Sequence, residues 1–197
     1  MCLIAIEGID GVGKTTIALH LRKFLSNLSY DCVVLKEPSE SVYGEKIRSS
    51  EQRLSAEEEL QLFILDREID VKERILPALR SGKIVIMDRY YYSNIAYQSC
   101  RGIDAEKIRE MNEKFAPKPD LVIILDVSVD VALQRIKNRK KLTAFEEKEY
   151  LEKVRQRFLE IADDRTVIVN AGDELEKVKK KVEEVVLNFL RKKGYKN

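Results

Sequence analysis

The sequence has 197 residues with 36 basic and 34 acidic side chains, which gives a formal net charge of +2. A balance this close to neutral argues against a protein that binds nucleic acid through a large basic field, although a local phosphate pocket remains possible. The single histidine, His20, nearly excludes histidine triads and clustered-histidine metal sites.

The cysteines and the apolar runs indicate the compartment. Cys2, Cys32 and Cys100 lie far apart and have no zinc-type spacing, so we expect neither a disulfide framework nor a zinc site. No apolar run approaches the roughly 20 residues of a membrane span. The first residues reach Glu7 without a basic segment, unlike a signal peptide. We therefore expect a cytoplasmic protein without membrane or nucleic-acid contacts.

Short β-branched runs alternate with amphipathic stretches along the chain. Five runs predict buried strands of a parallel sheet, at residues 2–6, 32–35, 84–87, 121–127 and 166–169. Helices are predicted at residues 14–28, 55–80, 173–192 and within 145–162. Ser55 and Glu58 have the spacing of a capping box at the start of the second helix. This alternation predicts an α/β fold in one domain over residues 1–197.

The turn after the first predicted strand fits the pattern G-x-x-x-x-G-K-[ST]. Its glycines let backbone N–H groups surround phosphate oxygens, and the helix that starts near Lys14 adds the positive end of its dipole. In this pattern Lys14 reaches the β- and γ-phosphates, and the hydroxyl of Thr15 ligates Mg²⁺. The predicted ligand is therefore ATP or another nucleoside triphosphate with Mg²⁺. The residues predicted to bind it are Gly8, Ile9, Asp10, Gly11, Val12, Gly13, Lys14, Thr15 and Thr16.

This loop alone does not distinguish a kinase from a motor ATPase or a GTPase switch. Neither Asn112 nor Asn138 begins the Asn-Lys-x-Asp pattern that selects guanine. The strand that ends at Met87 is followed by Asp88-Arg89-Tyr90 rather than by the paired acids of a motor ATPase. One carboxylate beside one arginine suits a site that holds Mg²⁺, through Asp88, together with a second anionic group.

Asp88-Arg89-Tyr90, followed by the segment from Ser93 to Gln98, closely resembles the signature of thymidylate kinases, which are P-loop nucleoside monophosphate kinases. The resemblance covers nearly the whole chain, because further segments match in order and spacing: residues 8–16, 36–38, 44–48, 62–67, 125–128 and 132–135. We therefore predict a three-layer P-loop fold with a five-stranded parallel sheet flanked by helices, and a short lid at about residues 137–146.

The resemblance implies transfer of the ATP γ-phosphoryl group to dTMP, giving dTDP, with Mg²⁺. It also implies a homodimer, with the helix at residues 55–80 or at 94–100 as the interface. Catalysis would rest on positioning and charge neutralisation, since the acceptor phosphate is already anionic and needs no strong base.

The family also implies roles for the residues around the acceptor. Phe63 would stack on the thymine ring, and Arg67 would hydrogen-bond a base carbonyl. Asn94 would contact the pyrimidine edge. The ring of Tyr97 would crowd C2′ and favour deoxyribose, so a Tyr97→Phe change would alter little. The predicted dTMP-binding set is completed by Glu37, Arg48, Arg89 and Gln98.

Other roles concern the phosphates and the donor base. Arg48 and Arg89 would hold the acceptor monophosphate. Asp10 lies where an acidic loop residue meets the sugar hydroxyl, the phosphate or Mg²⁺, and we assign it with Lys14 and Arg89 to the catalytic group. Asn170-Ala171-Gly172 follows the last strand, where the adenine pocket of the family is built.

The chain departs from the family at the transition-state arginine. The family places this residue either in the phosphate loop, where Gly11 stands, or in the lid, where Ala144 stands. We therefore predict that Arg139, helped by Arg135 or Lys141, swings over the phosphates, with Arg135 also contacting ATP.

Some alternatives remain open. Without the resemblance, Phe63 would be assigned to the core and Arg48 to the solvated surface. A kinase for dUMP or for a deoxynucleoside is the second candidate, with Glu37 as the base in a nucleoside kinase. A non-catalytic nucleotide switch would bind nucleotide without turnover of any monophosphate.

Overall fold

The computed structural model describes residues 2–50, 54–136 and 148–195. The strands are β1 (Cys2–Glu7), β2 (Cys32–Lys36), β3 (Ile84–Asp88), β4 (Leu121–Asp126) and β5 (Thr166–Asn170). The helices are α1 (Lys14–Asn27), α2 (Val42–Ser49), α3 (Ala56–Asp70), α4 (Leu76–Arg80), α5 (Tyr91–Ser99), α6 (Ala105–Glu113), α7 (Val129–Ile136), α8 (Lys148–Glu160) and α9 (Leu175–Lys192). Every predicted strand is present, with its ends within one residue of the expected bounds.

All five strands form one parallel sheet in the order β2-β3-β1-β4-β5. The central strand β1 is buried along its whole length, as its continuous apolar run predicts. Helices α1 and α9 pack against each other, and α5 packs against α3, α6 and α8. The predicted α/β fold with a five-stranded parallel sheet flanked by helices is therefore confirmed.

The register of the sheet brings the predicted site residues to one edge. Ile6 pairs with Asp88, and Lys36 pairs with the same residue from the other side. The loops after β1, β2 and β3 therefore leave the sheet side by side at its carboxyl edge. Because β3 and β4 flank β1 on opposite sides, this edge also contains the point where the strand order reverses, which is where open α/β sheets bind ligands.

The long helix predicted over residues 55–80 contains an interruption. Its start is as expected, since the Ser55 side chain accepts from the Glu58 N–H and the Glu58 carboxylate returns to the Ser55 N–H. After α3, however, Val71–Ile75 forms a π-helical turn before α4 continues. Pro77 lies in the first turn of α4, where it cannot donate a backbone hydrogen bond to the preceding turn.

Two short helices, α2 and α6, were not predicted, although each begins at a capping side chain. The Ser41 hydroxyl accepts from the N–H groups of Tyr43 and Gly44, and the Asp104 carboxylate accepts from Lys107. Helix α8 begins at Lys148, and the predicted lid at residues 137–146 lies outside the described residues. Among the residues that the structure describes, no helix is both long and apolar enough to cross a membrane.

Candidate active site

The phosphate loop lies tightly against neighbouring backbone. Gly8, Gly11 and Gly13 all have positive φ angles, of 132°, 86° and 98°. A Cβ atom would stand 2.5 Å from the Leu125 carbonyl oxygen at Gly8 and 2.3 Å from the Ala132 carbonyl oxygen at Gly11. Both positions therefore require glycine. The contact at Gly11 also leaves no room for an arginine side chain at this position.

Lys14 lies inside the loop that it follows. Its Nζ donates to the carbonyl oxygens of Gly8 at 3.0 Å and Ile9 at 2.7 Å. Burial and the positive charge of Arg89 lower the pKa of Lys14 to about 7, against the opposing effect of Asp10 and other carboxylates. Helix α1 starts here without a side-chain cap, so its first N–H groups are free for an anion.

The two predicted magnesium ligands are in direct contact. The Thr15 hydroxyl donates to the Asp88 carboxylate, which is 2% exposed, and Lys36 Nζ lies 3.7 Å from the same carboxylate. In the described part of the chain, no group of three or more His, Cys, Asp or Glu side chains could hold a metal ion by itself. This donor set suits Mg²⁺, which usually takes one or two protein ligands together with substrate phosphates and water.

Arg89 follows β3 in a left-handed backbone conformation, with φ of 73°. Its Nη2 forms an ion pair with Asp10, and its Nη1 donates to the Ser93 hydroxyl at 3.1 Å. The guanidinium lies 5.5 Å from the centroid of the Tyr97 ring. Burial raises the pKa of Asp10, but the charges of Arg89 and Lys14 outweigh this effect and lower it to about 2. The structure thus joins three of the predicted catalytic residues, Asp10, Lys14 and Arg89.

Tyr97 contributes more than its ring. Its hydroxyl donates to the Asp10 carboxylate at 3.0 Å, on the oxygen that does not bind Arg89. The expectation that a Tyr97→Phe change alters little therefore needs correction, because this change removes a hydrogen bond to a charged group.

A second cluster surrounds Arg67, which is 1% exposed. The Glu37 carboxylate accepts hydrogen bonds from Nε and Nη2 of this arginine. Its Nη1 donates to the amide oxygens of Asn94 and Asn112. Of the five guanidinium N–H groups, only one, on Nη2, is left without one of these partners. Burial raises the pKa of Glu37 to about 7, and the charge of Arg67 opposes this rise.

Further side chains orient this cluster. Asn94 Nδ2 donates to Gln98 at 3.1 Å, and Gln98 Nε2 donates to Glu59 at 2.8 Å. Asn112 Nδ2 donates to the Ile108 carbonyl at 2.8 Å, which turns its amide oxygen towards Arg67. The structure therefore brings Glu37, Asn94 and Gln98 together with Arg67, as the predicted dTMP set requires.

Phe63 and Arg48 lie at the surface near this cluster. Phe63 is only partly buried between the buried side chains of Leu62 and Ile64, and it lies outside the hydrophobic core. Its position is that of a ring available for stacking. Arg48 on α2 is exposed, and its Nη1 donates to the carbonyl oxygens of Pro38 and Ser39, which directly follow Glu37.

Arg135 lies on α7 and contacts the turn that follows β5. Its Nη2 donates to the Ala171 carbonyl at 2.9 Å, in the segment predicted to hold adenine. The Asn170 side chain accepts from the Gly172 N–H at 2.9 Å and closes this turn. Arg139 and Lys141, the other predicted lid cations, lie outside the described residues, as does Ala144.

Sequence reasoning missed three residues that hold the site. The Ser93 hydroxyl contacts both Glu7 and Arg89, and Asn112 contacts Arg67. Glu7 could have been found from the sequence, since it is a charged residue at the end of a continuous apolar run, and a buried charge needs partners. Asn112 could not have been found in this way, because an asparagine on an amphipathic helix is usually solvated.

Comparison with known proteins agrees with this geometry. The family model described as thymidylate kinase matches residues 6–182. A probable thymidylate kinase of Archaeoglobus fulgidus is 60% identical over 99% of this chain and 100% of its own length. A thymidylate kinase of Akkermansia muciniphila is 51% identical, over 73% of this chain and 71% of its own. A probable thymidylate kinase of Pyrococcus horikoshii is 42% identical, over 89% and 90%. The chain belongs to the thymidylate kinase family.

Proposed function

We propose that this protein transfers the γ-phosphoryl group of ATP to dTMP, giving dTDP and ADP, as a step in dTTP biosynthesis. Family membership gives the reaction class, a kinase that acts on dTMP. The observation that carries the proposal is the ion pair of Arg89 with Asp10, beside Lys14 and the Thr15–Asp88 contact. In this arrangement, an arginine that would bind the acceptor phosphate lies next to the loop that would bind the ATP phosphates.

On the donor side, the loop N–H groups and Lys14 would bind the ATP phosphates, and Arg135 would contact the nucleotide near Ala171. Thr15 and Asp88 would hold Mg²⁺, which supplies charge neutralisation at the phosphates when it is bound. These residues act by fixing the γ-phosphoryl group in line with the acceptor.

On the acceptor side, Arg89 would hold the dTMP phosphate, with Arg48 as its partner from α2. Burial lowers the pKa of Arg89, but Asp10 and its other neighbours raise it by more than this, so the net shift is upward. The guanidinium therefore remains protonated at neutral pH. No residue needs to remove a proton, because the attacking phosphate oxygen is already anionic. Glu37 is bound side-on to Arg67, which suits a structural role better than that of a base.

The base and the sugar would be selected by side chains from two helices. Phe63 offers a face for stacking, and the remaining N–H of Arg67 would donate to a base carbonyl. An N–H donor at this place favours a carbonyl over the amino group of cytosine, because two donors would face each other. Tyr97, fixed by Asp10, would exclude a 2′-hydroxyl.

The protein is also proposed to be a homodimer in the cytoplasm. Between the two candidate interfaces, the α5 residues from Asn94 to Gln98 are all buried. On α3, Leu65 and Ile69 are partly exposed and lie outside the hydrophobic core. This favours α3 as the interface. Sedimentation of a Leu65→Glu variant tests it, with a shift to monomer expected, and fractionation of cells tests the compartment.

One assay tests the function. Release of ADP from ATP and Mg²⁺ is measured with dTMP, dUMP, dCMP, UMP, AMP, GMP and thymidine as acceptors, and we expect dTMP to give the highest kcat/KM. A higher value for thymidine would indicate a nucleoside kinase, and a higher value for dUMP would transfer the assignment to that nucleotide. Nucleotide binding without turnover of any acceptor would indicate the switch.

A further inference from the structure

Glu7 ends β1 as a buried carboxylate, with 0% of the residue exposed. One carboxylate oxygen accepts from the N–H groups of Tyr90 at 2.8 Å and Ser93 at 3.3 Å. The other accepts from the Ser93 hydroxyl at 2.6 Å. Across residues 2–50, 54–136 and 148–195, its side-chain hydrogen bonds all go to the start of α5. None of them goes to the phosphate loop that directly follows Glu7.

This contact serves the start of α5. The first N–H groups of a helix lack partners within it, and Tyr90, at the N-cap position, provides no side-chain cap. A carboxylate from β1 takes this place, where the helix dipole also favours a negative charge. Burial raises the pKa of Glu7 to about 6, while Ser93 and Arg89 favour the ionised form, so the carboxylate is an acceptor at neutral pH.

The same contact fixes the backbone of the Arg89 turn. Arg89 adopts a φ of 73°, a conformation that a non-glycine residue keeps only when its surroundings hold it. Its N–H donates to the Ile6 carbonyl at 3.1 Å, and the next N–H, of Tyr90, donates to Glu7. Two consecutive residues of β1 therefore hold two consecutive amides of this turn.

The side chain of Arg89 is held through Ser93. Because the Ser93 hydroxyl donates its hydrogen to Glu7, its lone pairs are left to accept from Arg89 Nη1 at 3.1 Å. Arg89 Nη2 binds Asp10. The guanidinium is thus fixed at both terminal nitrogens, and Glu7 determines the direction of one of these hydrogen bonds.

We propose that Glu7 is a positioning residue that orients Arg89 for the acceptor phosphate, through the Ser93 hydroxyl and the first amides of α5. The inference rests on the proposed role of Arg89 in binding that phosphate. We expect the effect at the acceptor rather than at ATP, because the side-chain hydrogen bonds of Glu7 within the described residues all go to the Arg89 side of the site.

The test is the Glu7→Gln variant, with KM measured separately for dTMP and ATP. Glutamine keeps one oxygen for the Tyr90 N–H, but its amide donates to Ser93 and reverses that hydrogen bond. We expect KM for dTMP to rise about 10–100-fold, with KM for ATP within about twofold of wild type. Equal rises of both KM values, or no change in either, would overturn the proposal.

Two further variants separate positioning from folding. Ser93→Ala removes only the hydroxyl that links Glu7 to Arg89, and it should raise KM for dTMP about 3–10-fold. An unchanged KM would refute the role of this hydroxyl even if Glu7→Gln fails to fold. Asp120→Asn is the matched control, since this carboxylate accepts from the Leu3 N–H at 3.0 Å near the opposite end of β1. It should lower the melting temperature without changing either KM.

A double-variant cycle with Arg89→Lys tests the route of the effect. If Glu7 acts through Arg89, adding Glu7→Gln to Arg89→Lys should change KM for dTMP by less than about twofold. Independent, multiplying effects would overturn the proposal. If the acceptor panel identifies a nucleotide other than dTMP, the proposed function fails by itself. The same comparison of KM values is then made with that nucleotide.

Discussion

The donor and acceptor halves of the site are built in different ways. The proposed donor half is a continuous stretch of chain, in which backbone groups of residues 8–16 would bind the phosphates and Lys14 donates to the carbonyls of its own loop. The proposed acceptor half consists of side chains from separate elements. Arg67 comes from α3, Arg89 from the turn after β3, and Asn112 from α6. A backbone site is therefore specified locally, whereas a side-chain site depends on the fold around it.

The two halves also differ in their cost to stability. Glu37 and Arg67 form a fully buried ion pair, and each would leave an uncompensated charge if its partner were removed. Among the residues that the structure describes, Lys14 forms no ion pair, and burial lowers its pKa to about 7. Variants on the acceptor side should therefore mainly lower the stability of the fold, whereas variants on the donor side should mainly lower kcat.

The largest effect is expected for Arg67→Met. Loss of the guanidinium leaves Glu37 buried without its partner, so the free energy of unfolding in urea should fall by about 3–5 kcal/mol. Arg165→Met, at an exposed arginine that pairs with Asp164, should change it by less than about 0.5 kcal/mol. Similar values for the two variants would mean that the acceptor cluster does not stabilise the fold.

On the donor side, Lys14→Ala should lower kcat by about 10²–10³-fold, because a preorganised positive charge at the phosphates is lost. The unfolding free energy should not fall, in contrast to Arg67→Met. Steady-state kinetics and urea denaturation measure the two quantities, and Lys23→Ala on the exposed face of the same helix is the control. A large loss of stability with an unchanged kcat would reverse the comparison.

Variants of the lid cations distinguish transition-state stabilisation from ATP binding on the donor side. Arg139→Ala should lower kcat and kcat/KM together by about 10²–10³-fold, since neither Gly11 nor Ala144 supplies the transition-state charge. Arg135 contacts Ala171, so Arg135→Ala should instead raise KM for ATP. Rapid-quench and steady-state measurements distinguish the two. A kcat effect confined to Arg135→Ala would assign the charge to that residue.

The smallest effect is expected for Tyr97→Phe. Loss of the hydrogen bond to Asp10 should lower kcat/KM for dTMP by about fivefold. Tyr91→Phe is the matched control, because the Tyr91 hydroxyl donates to Glu113 at 3.2 Å rather than to Asp10. Tyr97→Ala should also narrow the preference for dTMP over its ribose counterpart, and an unchanged preference would show that Tyr97 does not select the sugar.

Much of this molecule could be predicted from its sequence. The strands and the phosphate loop follow from short-range rules, because a buried strand needs a continuous apolar run and a phosphate loop needs glycines at fixed positions. The polar helices α2 and α6 were missed, since their amphipathic signal is short and only the caps at Ser41 and Asp104 mark them. The π-helical turn before Pro77 was also missed within a helix of the expected length.

The sequence by itself determined the fold class, the phosphate loop and the family, since each depends on residue types at fixed separations along the chain. Only the tertiary structure decided how the acceptor half is held. Glu7 lies 86 positions before Ser93, and Arg67 lies 45 before Asn112. No local pattern joins such residues. Their contacts arise because parallel strands end at one edge of the sheet, and because buried charges in the fold must find partners.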